Sequence, residues 1–345
     1  MMIKRTILQW ITAKTIPSNT VKARGHTLLL FAFFLWLGVA PTAWARPDVS
    51  LGETLKLLGL QPVPALKTDP AESERYAGKN LPDVFAENKK PFITIGGVKV
   101  WLTESLTLIK GNLAIDRVDY DKVLVPLIWR NKAPFGIGFR RIVIDPGHGG
   151  KDPGIVSKVY NYAEKSATLD TALRLKIILE KLGFEVILTR DKDKFVDLAD
   201  RCDYANKVKA DLFISLHFNG GAPKDSTTSG FETYCLTVAG ESSTNHSKKT
   251  ASSIMLPGNR LDALNVLLAW SVQQRAVKML GTEDRAVKRA RFAVLKTLNC
   301  PGILIEGGFV SSRTEGAQIA DPNYRQKLAE SIAAGIVDYS NRLRP

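Results

Sequence analysis

The stretch "RIVIDPGHGGKDPG", residues 141 to 154, decides how the chain is read. Its β-branched run Ile142-Val143-Ile144 has the composition of a buried strand. The run stops at Asp145 and Pro146, and a histidine enclosed by glycines follows. His148 is one of only four histidines in the chain. Downstream, strand-like and helix-like segments alternate. Residues 162 to 182 carry Leu169, Ala172, Leu175, Ile178, Leu179 and Leu182 at helical spacing, Gly183 closes the helix, and "FEVILTR" follows as a strand. Residues 196 to 208 predict a second helix. "ADLFISLHFN" (210 to 219) is apolar enough for a central strand, and "GFETYCLTV" (230 to 238) and "GILIEGGF" (302 to 309) supply two more. Helices are expected over about 260 to 280 and from Asp321-Pro322 onward, the latter an N-cap followed by proline at the first helical position. The pattern predicts an α/β fold: a mixed, mostly parallel central sheet with helices on both faces.

The amino-terminal part reads differently. Lys4, Arg5, Lys14, Lys22 and Arg24 form a basic leader without acids, followed by the 14-residue apolar run "TLLLFAFFLWLGVA" and an Ala43-x-Ala45 pattern. This is the layout of a secretory signal peptide over 1–45, and the run is short of the roughly 20 residues a spanning helix needs. Export is expected, to the periplasm or cell envelope, with no stable membrane span after cleavage. Residues 46–90 read as a helical start, "LGETLKLLGL", and a Pro-, Glu- and Lys-rich linker. Alternation in "FITIGGVKVWL", with Gly96-Gly97 between two runs, predicts a hairpin in a small β-rich accessory domain over 91–135. The net charge of +14 includes five leader positives, leaving +9 on the exported chain. That balance suits an anionic matrix; export and the lack of a basic block with interleaved aromatics argue against nucleic acid. Cys202, Cys235 and Cys300 have neither metal-site nor disulfide-framework spacing. They read as one disulfide plus a free thiol, or as three buried small hydrophobes.

Three polar residues gather at the carboxyl ends of strands, where ligands of open α/β sheets bind. His148 follows the first strand, His217 ends "SLH", and Glu306 lies near the end of "GILIEGGF". Two neutral imidazoles with a carboxylate are a donor set that catalytic zinc takes. Glu164, on the first turn of the next helix, is the candidate third ligand. Asn161-x-x-Glu164 equally suits a capping box, in which the glutamate satisfies a backbone donor. Glu306 is either a catalytic carboxylate or a strand-end glutamate facing solvent. Asp145 either orients a ligating histidine or caps the loop; Asn219 either contacts substrate or closes a turn. Arg190 and Arg201 read as structural ion-pair partners, and His246 as a solvated loop residue.

In order, "IDPGHGGKDPG", Ala163-Glu164-Lys165, "LGFEVILTRDKD", "LADRCDYAN", "ADLFISLHFNG", "GFETYCL", "VKRARFAVLK" and "PGILIEGGFVSS" resemble the zinc-dependent N-acetylmuramoyl-L-alanine amidases of the type-3 amidase family. The resemblance spans about 140–345. It implies a catalytic domain with Zn2+ held by His148, Glu164 and His217, and Glu306 as the catalytic carboxylate. The implied reaction is cleavage of the amide between N-acetylmuramic acid and the L-alanine of the peptidoglycan stem peptide. The β-rich segment resembles a module first described in copper amine oxidases and found fused to exported wall enzymes. Some relatives carry a helix near 240–284 that blocks the metal until an activator protein displaces it. Here "LDALNVLLAWSVQQRAVKML" reads more simply as a sheet-packing helix. Competing readings are a non-catalytic peptidoglycan-binding or regulatory protein, and a zinc hydrolase of a different wall amide.

Overall fold

The computed structural model describes residues 48–67, 70, 72–128, 138–221, 226–244 and 251–344. The leader, the end of the 91–135 segment and His246 lie outside the described residues. The strand predicted at 141 is β9 (Arg141–Pro146), and its three apolar residues are fully buried. It pairs in parallel with β12 (Glu185–Leu188) on one side and β13 (Leu212–Asn219) on the other. β13 continues in parallel to β16 (Gly302–Phe309); β16 then pairs antiparallel with β14 (Phe231–Leu236), which runs parallel to β15 (Asp284–Ala290).

Helices cover both faces of these strands. α2 (Glu164–Lys181), α4 (Asp262–Leu280) and α6 (Pro322–Leu343) pack together on one face. α2 buries Ala167, Thr168, Thr171, Ala172, Leu175 and Leu179, a stripe at the three- and four-residue spacing that an amphipathic helix requires. α6 starts as its sequence dictates, with the Asp321 carboxylate accepting from Asn323 N–H at 2.8 Å and Pro322 at the first position. On the other face, Cys202 and Ala205 of α3 (Leu198–Lys207) join Val143, Phe213, Tyr234, Leu236, Ala290 and Leu304 in one apolar cluster. The apolar stretch after 260 is thus a sheet-packing helix. Among the described residues no helix is long and apolar enough to cross a membrane.

The structure corrects the organisation expected before residue 140. α1 (Leu51–Leu57) is the expected helical start, yet the stretch read as linker holds β2 (Gln61–Val63), β3 (Ser73–Ala77) and β4 (Val84–Glu87). β5 (Phe92–Ile95) and β6 (Val98–Trp101) form the predicted hairpin, with Gly96 and Gly97 at φ 57° and 83°, the left-handed pair that a two-residue turn demands. These strands are no detached domain. β6 pairs in parallel with β15, so one sheet of eleven strands runs β12-β9-β13-β16-β14-β15-β6-β5-β4-β3-β2. Buried Arg289 of β15 and buried Asp119 form an ion pair at 2.5 Å across the junction, and Trp270 Nε1 donates to Ile95 O at 2.9 Å. Residues 48–345 form one compact unit. Composition concealed the junction: "DRAVKRA" carries four charges in seven residues and does not read as a central strand.

Candidate metal centre and the carboxylate beside it

Gly147 and His148 emerge directly from β9, and His217 occupies the sixth position of β13. Glu164 opens α2, which the chain reaches through a small hairpin, β10 (Val156–Ser157) and β11 (Tyr162–Ala163). The three side chains converge. Nε2 of His148 lies 3.0 Å from Oε1 of Glu164, and Nδ1 of His217 lies 3.2 Å from each of them. Tetrahedral bonds of about 2.0–2.1 Å hold ligand atoms about 3.3 Å apart, so this donor set fits a small divalent cation. The imidazoles keep 21% and 18% of their side-chain surface exposed and Glu164 keeps 2%, so the centre opens toward solvent on the histidine side.

The glycines follow from this convergence. A Cβ on Gly147 would stand 2.2 Å from the His217 ring; one on Gly154 (φ +64°) would stand 2.6 Å from the Glu164 carboxylate and 2.7 Å from His148. His148 itself adopts φ 63°, a left-handed conformation that costs a non-glycine residue about 1–2 kcal/mol. Strain of this kind persists where surrounding contacts over-determine it. Here Arg201 Nη2 donates to His148 O at 3.0 Å, and Asp152 Oδ2 meets His148 Nδ1 at 2.8 Å.

Glu164 is not a capping residue. The helix N-cap is Ala163, without a side-chain cap bond, and the carboxylate accepts from Ile155 N–H and Phe218 N–H, each at 3.0 Å. Burial would raise its pKa, but hydrogen bonds and charge from His148 and His217 outweigh burial and bring it to about 2. Burial lowers and the Glu164 and Asp152 carboxylates raise the His148 pKa, with a net rise.

Glu306 is the register partner of His217 on the adjacent strand. Its Oε2 is enclosed and has no hydrogen-bond partner, an arrangement that costs about 1–3 kcal/mol or more for a charged group. Burial pushes its pKa well above the carboxylate range, Glu164 and Glu232 push further, and Lys288 pulls down.

Other expectations change. Asp145 does not orient a histidine: it is fully buried and bonded to Arg201 Nη1 at 2.7 Å, Thr189 Oγ1 at 2.6 Å and Ser215 Oγ at 2.8 Å. Asp152 holds the histidine instead; its place four residues after His148 in the same turn was the available signal. Asn219 ends its strand and faces Glu232: its amide donates to Glu232 at 2.5 Å, and its Oδ1 accepts from Gly220 N–H at 2.9 Å. Arg201 is the expected ion-pair partner. Arg190 instead donates to the carbonyls of Pro146, Gly147 and Lys165 at 2.7–2.9 Å, bracing the glycine turn. The three cysteines are buried free thiols, and burial pushes Cys235 and Cys300 up to about 12, which leaves them unreactive.

Two histidines and a glutamate on an α/β sheet, open on one side and beside a further carboxylate, are a group that could hold a metal ion. The comparisons with known proteins give the family. The N-acetylmuramoyl-L-alanine amidase family matches residues 142–338, and the chain belongs to it. It is 31% identical over 233 residues to the N-acetylmuramoyl-L-alanine amidase AmiA of Escherichia coli, covering 60% of this chain and 78% of that protein. It is 32% identical over 220 residues to AmiC of Escherichia coli O6:H1, covering 57% of this chain and 52% of that protein. The chain spans between about a third and a half of the length of the first curated relatives it matches. Among solved structures, an N-acetylmuramoyl-L-alanine amidase from Clostridium difficile 630 superposes with TM-score 0.49 at 31% identity, over 59% of this chain and 97% of that one.

Proposed function

We propose that the protein is an exported zinc hydrolase that cleaves the amide between N-acetylmuramic acid and L-alanine in peptidoglycan, with Zn2+ held by His148, Glu164 and His217. The observation that carries this reading is the convergence of those three side chains at 3.0–3.2 Å beside a buried carboxylate oxygen without a partner. Zinc in such a site lowers the pKa of water to about 7 and polarises the scissile carbonyl. The chain supplies the rest. Asp152 accepts the Nδ1 proton of His148, which leaves the Nε2 lone pair facing the centre. Two backbone N–H groups fix Glu164. Glu306 accepts the proton of the attacking water and passes it to the leaving L-alanine amine. Its free oxygen and raised pKa suit both halves of that transfer. The excess positive charge of the exported chain favours an anionic wall.

Purified metal-loaded protein should digest wall sacculi, lose that activity to a chelator, and release intact stem peptides with free L-alanine amines, read by mass spectrometry. Glu306→Ala should keep the metal and lose hydrolysis. Products cut within the peptide would assign a different wall amide, and equal hydrolysis by Glu306→Ala would remove that residue's role.

A further inference from the structure

Glu306 has an acidic neighbour that the reaction as described leaves unused. Glu232 on β14 is its register partner across the antiparallel pair, so His217, Glu306 and Glu232 form one row across three adjacent strands. Like charges on directly opposed positions repel, and the surroundings treat the two carboxylates differently. Glu232 is 2% exposed and fully engaged. Its Oε1 accepts from Asn219 Nδ2 at 2.5 Å and from Tyr234 OH at 2.8 Å. Its Oε2 accepts from Lys288 Nζ and stands 3.4 Å from Arg285 Nε, an ion pair without a hydrogen bond. Glu306 Oε2 receives nothing.

The backbone is bent to achieve this. In a regular strand Arg285 and Lys288, three apart, would point to opposite faces. The β14–β15 register shifts between Phe231 and Thr233, and Ala286 adopts φ 81°, so both cations reach Glu232. Asp284 fixes the bend, its Oδ1 accepting from Ala286 N–H at 3.0 Å and from Gln273 Nε2 at 2.8 Å. A left-handed alanine costs about 1–2 kcal/mol, and the fold sustains one here beside the site row.

We propose that Glu232 is a positioning residue for the hydrolysis: it holds the Lys288 ammonium and the Arg285 guanidinium to itself, so that neither pairs with Glu306 and the free Glu306 oxygen stays open to the proton of the attacking water. The proposal rests on Glu306 acting as proton acceptor. Neighbouring strands lie about 4.7–4.9 Å apart, so an ammonium released from Glu232 is within a flexible side chain's swing of Glu306. The charge of Lys288 already acts on Glu306.

The test compares wild type, Glu232→Gln, and Glu232→Gln combined with Lys288→Met, all zinc-loaded and assayed on soluble muramyl-peptide glycan fragments. Wild type comes first: if it does not hydrolyse them or sacculi, the amidase reading itself fails. With wild type active, Glu232→Gln is expected to keep zinc and KM and to lose kcat by about 10²-fold, the low end of a proton-transfer group's contribution. Adding Lys288→Met should recover most of that loss, a rescue that a purely structural role for Glu232 would not give. Wild-type kcat in Glu232→Gln, or a double variant as slow as the single, overturns the proposal. If Glu232→Gln alone does not fold, the double variant decides: active within about tenfold of wild type supports the idea, and a slower or unfolded double variant overturns it.

Discussion

Gly147→Ala is the sharpest probe of the proposed metal centre. The added Cβ would stand 2.2 Å from Cε1, 2.5 Å from Nε2 and 2.6 Å from Nδ1 of His217. Carbon atoms settle near 3.5–4.0 Å, so the ring or the backbone must move by more than about 1 Å. The backbone is tied: Gly147 N–H donates to Leu216 O at 2.9 Å, and its carbonyl accepts from Thr168 Oγ1 at 2.9 Å and Arg190 Nη2 at 2.7 Å. The ring therefore moves, and Nδ1 leaves its 3.2 Å separations from His148 and Glu164. Metal–ligand distances tolerate about 0.2 Å, so zinc affinity should fall by at least 10–100-fold, a loss that removing an outer-shell partner alone can cause. Overpacking should cost the fold only about 1–3 kcal/mol. Competition with a chromophoric chelator measures affinity, metal analysis after dialysis measures occupancy, and circular dichroism checks the fold. A folded Gly147→Ala protein that binds zinc like wild type would refute the convergence of the two imidazoles.

Asp152→Asn should weaken zinc binding by about 10–100-fold with the fold intact, because Nδ1 of His148 loses the carboxylate that sets its tautomer; unchanged affinity in the same competition assay would contradict this. Arg289→Met leaves Asp119 buried and unpaired, which should cost about 3–5 kcal/mol. The matching fall in Tm is on the order of 10 °C; calorimetry showing no shift would detach the amino-terminal strands from the folded unit. The acidic limb of kcat/KM should reflect Glu306. Burial, Glu164 and Glu232 raise its pKa, and the base must be deprotonated, so activity falls as pH drops through a midpoint above the ordinary carboxylate range. A midpoint at about pH 4 or below would assign the limb to another group.

The strands and helices after residue 141 were legible because burial on a parallel sheet demands runs such as "RIVID" and "LFISL", and because Pro322 and Gly183 punctuate where helix ends require. His148, His217 and Glu306 were legible as candidates from their positions at strand ends, whereas Glu164, on the first turn of a helix, came to be preferred over a capping role only with the family resemblance. What the sequence hid was partnership. Asp145 and Asp152 are both acids close to His148, and only the path of the glycine turn decides that Arg201 takes the first and His148 the second. Glu232 sat in plain view in "GFETY", yet its importance arises from an antiparallel register with Glu306 that no local pattern reveals. β15 was hidden for a related reason: its charges look solvated until Asp119, Glu232 and Glu306 are known to flank them.

That strand links the two halves of the molecule physically. Its outer edge carries β6, and its inner neighbour is β14, which bears Glu232. One carboxylate serves both sides: Asp284 accepts from Lys99 N–H of the amino-terminal hairpin at 2.6 Å and from Ala286 N–H at 3.0 Å. The left-handed turn at Ala286 is thus held partly by residues that precede the amidase-family match. Without the hairpin, the edge of β15 would expose unpaired backbone groups, and Asp284 would lose one of the donors that fix it. The geometry that directs Arg285 and Lys288 onto Glu232 therefore belongs to the whole sheet, the amino-terminal hairpin included.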